Sequence, residues 1–198
     1  MVDNQKNYQI RQHSRVLIEK MQDTLHEKQI LQDVYDRDSK NFHTWCHLIR
    51  VVRRFNLTEG EFDFVDKCLN EDIKNNSVWN YRFFLVGFMH LNNKEGTVNA
   101  KDVIEKEIQY GLDKVMCCKD NESVYSYIRG YLDKYSYKYK DYPQIKTTLL
   151  KMKEDGCCKS FLLSMLVDIY EEECDKDKVY DTIDELVKVD FIREKYWL

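Results

Sequence analysis

Apolar residues recur along this chain at the three-to-four spacing of an α-helix. Trp45, Leu48, Ile49, Val52 and Phe55 form one set, and Phe62, Val65 and Leu69 a second. Val103, Ile104, Ile108, Leu112 and Val115 form a third, and Phe161, Leu162, Met165, Leu166 and Ile169 a fourth. Each set paints one face of a helix, because residues three and four apart lie above one another on the helical surface. Between them fall short polar breaks, Asn56 to Gly60, Lys74 to Ser77, Asn92 to Gly96 and Lys119 to Ser123, rich in the residues that cap helices and turn chains. One proline, Pro143, and six glycines leave too little punctuation for a sandwich or barrel. The expectation is an all-α chain of successive antiparallel helical hairpins.

The hairpins repeat. Asn7, Asn41 and Asn75 are each 34 residues apart, and a fourth copy begins at Asn121. The best-formed copy, Asn75-Asn76-Ser77-Val78-Trp79-Asn80-Tyr81-Arg82, places Trp four residues after Asn and Arg three after Trp. The others are eroded: Asn41 has Trp45 but Leu48, Asn121 has Tyr125 but Ile128, and Asn7 has Arg11 and Ser14. Asn or the following Ser caps the helix start, and the spacing of three lets Arg82 lie over Trp79. Trp45, Trp79 and Tyr125 are expected to wedge between neighbouring hairpins. A hairpin cannot bury its apolar face alone, so the copies should stack as one domain over residues 1–198, a right-handed superhelix ending in C-terminal helices. Such a domain leaves a face for a partner, and the tyrosines from Tyr125 to Tyr142 suit that partly polar interface.

Composition narrows the function. With 31 basic and 35 acidic side chains the net charge is −4, and no basic face announces nucleic acid. The longest apolar stretches, Phe83 to Met89 and Phe161 to Ile169, are too short to cross a bilayer, and no signal leader opens the chain, so a cytoplasmic protein is expected. The seven cysteines are an odd number without secretory context, which makes them thiols rather than a disulfide framework. Cys117-Cys118 and Cys157-Cys158 are adjacent pairs that lack zinc-ligand spacing, so no metal site is expected in this chain.

The Asn-x3-Trp-x2-Arg repeat resembles the α-subunit repeat of protein prenyltransferases. Further segments are similar to the α-subunit shared by farnesyltransferase and geranylgeranyltransferase type I: Lys6-Asn7-Tyr8-Gln9, Lys40-Asn41-Phe42-His43-Thr44-Trp45, Asn121-Glu122-Ser123, Leu166-Val167-Asp168-Ile169-Tyr170-Glu171 and Ile192-Arg193-Glu194-Lys195-Tyr196-Trp197. The resemblance implies a crescent of helical hairpins around a β-subunit. That partner would supply the zinc ligands, the magnesium requirement and most of the isoprenoid pocket, while this chain binds no cofactor itself. Position by position, it implies that Lys6 reaches the prenyl diphosphate and that Gln9 holds the carboxylate of a CaaX-type protein C-terminus. Tyr8 and His43 would line the same edge, with Asn41 beneath it. Taken by themselves, Lys6 reads as a solvated charge and His43 as an ordinary helix-start residue.

Phe42 stands where the family usually has tyrosine. The family's α-subunits carry further hairpins ahead of the Lys-Asn-Tyr-Gln segment, where only Met1 to Gln5 stand here, so the chain is expected to correspond to the C-terminal part of such a subunit. The competing readings are a Rab geranylgeranyltransferase α-subunit, and a helical-repeat scaffold that has kept the fold without the activity.

Overall fold

Asparagine opens four of the helices. The side-chain oxygens of Asn41, Asn75, Asn99 and Asn121 accept the backbone N–H groups of Thr44, Ser77, Lys101 and Ser123. Each satisfies one of the donors that a helix start leaves without an intrahelical partner. In the computed structural model, which describes residues 35–36, 38–91 and 99–197, these caps begin α1 (Phe42–Phe55), α3 (Asn76–Val86), α4 (Ala100–Cys117) and α5 (Glu122–Tyr135). The remaining helices are α2 (Glu61–Glu71), α6 (Gln144–Glu154), α7 (Ser160–Glu172), α8 (Lys176–Val189) and the short α9 (Glu194–Trp197). A π-helical turn, Gly87–Leu91, extends α3, and no strand occurs among the described residues. Of the expected polar breaks, Asn92 to Gly96 lies outside the described residues; at the first, α1 ends at Asn56 in the left-handed conformation, and Gly60, also at positive φ, leads into α2.

The described residues divide into two compact units, one of residues 35–69 and 75–91, the other of 70–74 and 99–197. In the first, α1 packs on α3. Trp45, Leu48, Val51, Val52, Val65, Trp79, Tyr81 and Leu85 form its core, with the Trp45 ring edge-on to Tyr35 and tilted against Tyr81 at 5.5 Å. Trp45 and Trp79 are therefore packing residues, as their spacing predicts. Arg82 is buried, with its guanidinium 5.4 Å from the centre of the Phe62 ring and 3.3 Å from the Asp66 carboxylate. Both partners lie on α2, a connection that the spacing with Trp79 did not name.

In the second unit α4 packs on α5 and α6, while α5, α6 and α8 all pack on α7. Gly111 is the point of close approach between α4 and α5, since a Cβ there would stand 3.0 Å from Ile128 Cγ1. The tyrosine cluster corrects the expectation of a partner-facing surface in part: Tyr135, Tyr137 and Tyr139 are half-buried, whereas Tyr125, Tyr127, Tyr131 and Tyr142 are buried. For two of them hydrogen bonds explain how core positions accept a hydroxyl: Tyr125 donates to the Lys119 carbonyl at 3.1 Å and Tyr127 to the Glu107 carboxylate at 2.6 Å. α7 starts after Lys159 with no side-chain cap.

Candidate functional site

Of the five expected site residues, Lys6, Tyr8 and Gln9 lie outside the described residues. Asn41 and His43 stand together at the start of α1. Asn41 is 6% exposed and is occupied as the cap, its oxygen 3.4 Å from the Thr44 amide. His43 is exposed beside Phe42, which is 68% exposed, the two rings meeting edge-on at 5.8 Å. An imidazole on the first turn of a 14-residue helix with no acidic residue in that turn is placed to donate to an anionic oxygen, because the amides and dipole of a helix start also favour negative charge.

The turn that presents this edge is held from two directions. The Ser39 carbonyl accepts the Trp45 indole N–H at 2.9 Å and the Asn75 side-chain amide at 3.0 Å, using both of its lone pairs. Asn75 thus caps its own helix and ties down the segment that leads into Phe42 and His43. The same bond recurs in the second unit, where Asn121 Nδ2 donates to the Ile73 carbonyl at 2.7 Å. In each case the acceptor stands two residues ahead of the preceding copy's asparagine. Sequence reasoning assigned these asparagines a cap and missed the second bond, because a backbone carbonyl has no residue signature.

Also missed was the charge of α1, which carries Arg50, Arg53 and Arg54 and no acidic residue. A near-balanced total concealed this local excess. Among the described residues no group of three or more His, Cys, Asp or Glu side chains is placed to hold a metal ion, and no helix is long and apolar enough to cross a membrane. Cys68 and Cys157 are buried, while Cys117, Cys158 and Cys174 are exposed.

The protein prenyltransferase alpha subunit repeat, as a family, matches residues 58–89, from the turn before α2 into the π-helical turn. A protein farnesyltransferase/geranylgeranyltransferase type-1 subunit alpha of Dictyostelium discoideum is 33% identical over 142 residues, which is 70% of this chain and 42% of that protein. The Candida albicans protein of the same description is 29% identical over 208 residues, 99% of this chain and 65% of that one. The chain therefore spans less than two thirds of the length of these relatives. In three dimensions, a chain in the structure of Candida albicans protein geranylgeranyltransferase-I complexed with GGPP superposes with a TM-score of 0.84 at 30% identity, covering 99% of this chain and 66% of that one. By repeat, by fold and by relatives alike, the chain belongs to the family of protein prenyltransferase α-subunits.

Proposed function

We propose that this chain acts as the α-subunit of a heterodimeric protein prenyltransferase, moving a farnesyl or geranylgeranyl group from its diphosphate to the cysteine of a C-terminal CaaX sequence. The observation that carries this reading is the match over 99% of the chain to a geranylgeranyltransferase-I structure that contains GGPP. The copies act as one repeat domain in the cytoplasm and scaffold a β-type partner, which holds zinc and answers for magnesium. Within the assembled site Lys6 faces the diphosphate and Gln9 the peptide carboxylate. Tyr8 and His43 line that edge, and Asn41 supports it. A positioned ammonium suits this chemistry because negative charge grows on the departing diphosphate.

The test is co-expression with a β-type subunit, followed by an assay with farnesyl or geranylgeranyl diphosphate and a peptide ending in a CaaX sequence. Prenyl transfer by the pair, and none by the single chain with added zinc, is the expected result. Stable assembly without transfer would instead favour a scaffold, and turnover by the single chain would overturn the division of labour.

A further inference from the structure

Asn75 is 2% exposed, too deep to touch a substrate, yet its side-chain amide reaches the Ser39 carbonyl at 3.0 Å, four residues ahead of the exposed His43. The other bonds at this turn stay within α1's own copy: Trp45 Nε1 donates to the same carbonyl at 2.9 Å, and Asn41 Oδ1 accepts the Thr44 amide at 3.4 Å. Both would travel with α1 if the helix shifted. The bond from Asn75 instead fastens the head of α1 to the head of α3. We propose that Asn75 is a positioning residue for prenyl transfer, holding the first turn of α1 where the His43 imidazole meets an anionic oxygen of a substrate. This role rests on the function proposed above, which sets His43 at the edge of the site.

Elsewhere α1 and α3 meet through contacts of a different kind. Trp45 lies tilted against Tyr81 at 5.5 Å, and Arg53 lies over the Phe84 ring at 5.1 Å. Contacts between broad faces are non-directional and resist separation more than sliding, whereas a hydrogen bond weakens steeply with distance and angle. Without the Asn75 amide the two helices stay together, but the head of α1 is located by packing alone. A misplacement of about 1 Å can cost a reaction roughly 100-fold, so a small slide registers in the kinetics while the fold survives.

Asn121 supplies the control. Its Nδ2 donates to the Ile73 carbonyl at 2.7 Å and its Oδ1 accepts the Ser123 amide at 3.2 Å, the same pair of bonds at the start of α5, which carries none of the expected site residues. Serine at either position keeps a cap and loses the amide donor. The experiment measures steady-state transfer by the heterodimer with a β-type subunit, varying prenyl diphosphate and CaaX peptide in turn, for Asn75→Ser, Asn121→Ser, His43→Ala and the double variant N75S/H43A. His43 meets an oxygen that is anionic before transfer begins, so its contribution appears in KM. Asn75→Ser should raise one KM about three- to tenfold, roughly the worth of one hydrogen bond, and it should be the same KM that His43→Ala raises. Which of the two it is tells diphosphate from carboxylate. The double variant should be no worse than His43→Ala alone. Asn121→Ser should lower Tm as Asn75→Ser does and leave both KM values unmoved. Parent-like kinetics for Asn75→Ser, an equal rise from Asn121→Ser, or additive losses in the double variant would overturn the role and leave the proposed function standing. A pair that assembles and transfers no prenyl group sinks the proposed function and this role with it.

Discussion

Asn75 joins two copies of the repeat: its Nδ2 donates to the Ser39 carbonyl, 36 residues earlier in the chain, while its Oδ1 accepts the amide of Ser77. One amide side chain thus closes a helix start and fastens the turn beneath Phe42 and His43. Aspartate or serine performs the first task equally well, but neither carries the NH₂ group needed for the second.

Asn75→Ala should therefore destabilise the protein by about 2 kcal/mol, roughly 1 for the cap and roughly 1 for the bond between copies. Asn75→Ser, which keeps the cap, should lose about half of that. Urea denaturation of the three proteins checks the division. If Asn75→Ser is as stable as the parent, the bond to Ser39 contributes nothing.

The buried tyrosines predict a pH limit. Burial is the main cause that pushes the Tyr81 hydroxyl well above its ordinary range, with the Glu61 carboxylate adding to it, and burial likewise raises Tyr125 and Tyr139. Because the folded-state values are raised, the unfolded chain gives up these protons first. Stability should hold up to about pH 10 and fall above it. Absorbance at 295 nm followed alongside circular dichroism should show a group of tyrosines that ionise only as helicity is lost. Smooth titration of all 14 with the helices intact would contradict this.

Arg129 makes a second connection, from α5 to α7: Nε donates to Asp168 at 2.7 Å and Nη2 to the Ser164 hydroxyl at 2.9 Å. The Tyr139 hydroxyl shares the same Asp168 oxygen at 3.1 Å. Burial opposes the Arg129 charge, but the Asp168 carboxylate more than offsets it, so the guanidinium is held protonated even more firmly than usual. Arg129→Ala should cost about 2 kcal/mol, and Arg129→Lys most of that, since an ammonium cannot reproduce the fork. Thermal unfolding of both variants is the measurement. Parity between lysine and arginine would show that charge alone matters.

Lys6 and Gln9 should separate kinetically in the assembled enzyme. Lys6→Ala is expected to lower single-turnover prenyl transfer by roughly 10²–10³ while assembly persists, because its contact strengthens as charge develops on the diphosphate. Gln9→Ala should weaken peptide binding instead. A Lys6→Ala enzyme with altered peptide affinity and an unchanged single-turnover rate would remove Lys6 from the diphosphate.

What the sequence disclosed follows from what side chains report about themselves. Helix starts and buried faces were legible because asparagine before a 3.6-residue apolar period has few other readings, as at Asn41, Asn75 and Asn121. The start of α7 was not, since Lys159 stands ahead of it and no side chain caps it. Tyr125 to Tyr142 misled because a ring with a polar tip suits an interface and a hydrogen-bonded core equally well. For the candidate site, Asn41 and His43 were singled out by family likeness alone, and the arginines of α1 were hidden by a net charge summed over the whole chain. The Leu166 to Glu171 segment was noticed as a likeness only; the fork from Arg129 gives its Asp168 a physical role.

The third interval between asparagines is twelve residues longer than the second, and part of the difference is visible in α4, with 18 residues against 11 in α2. Yet Asn121 still reaches Ile73 as Asn75 reaches Ser39, and Tyr127 still meets Glu107 twenty residues back, as Tyr81 meets Glu61. Each asparagine linkage runs from the head of one copy to the head of the preceding one, and each tyrosine linkage reaches back only to the second helix of that copy, so the length between the two heads is not part of either measure. Descent is accordingly free to lengthen or shorten a copy by insertion, and the lineage of such a chain is better traced by counting its asparagines than by measuring its period.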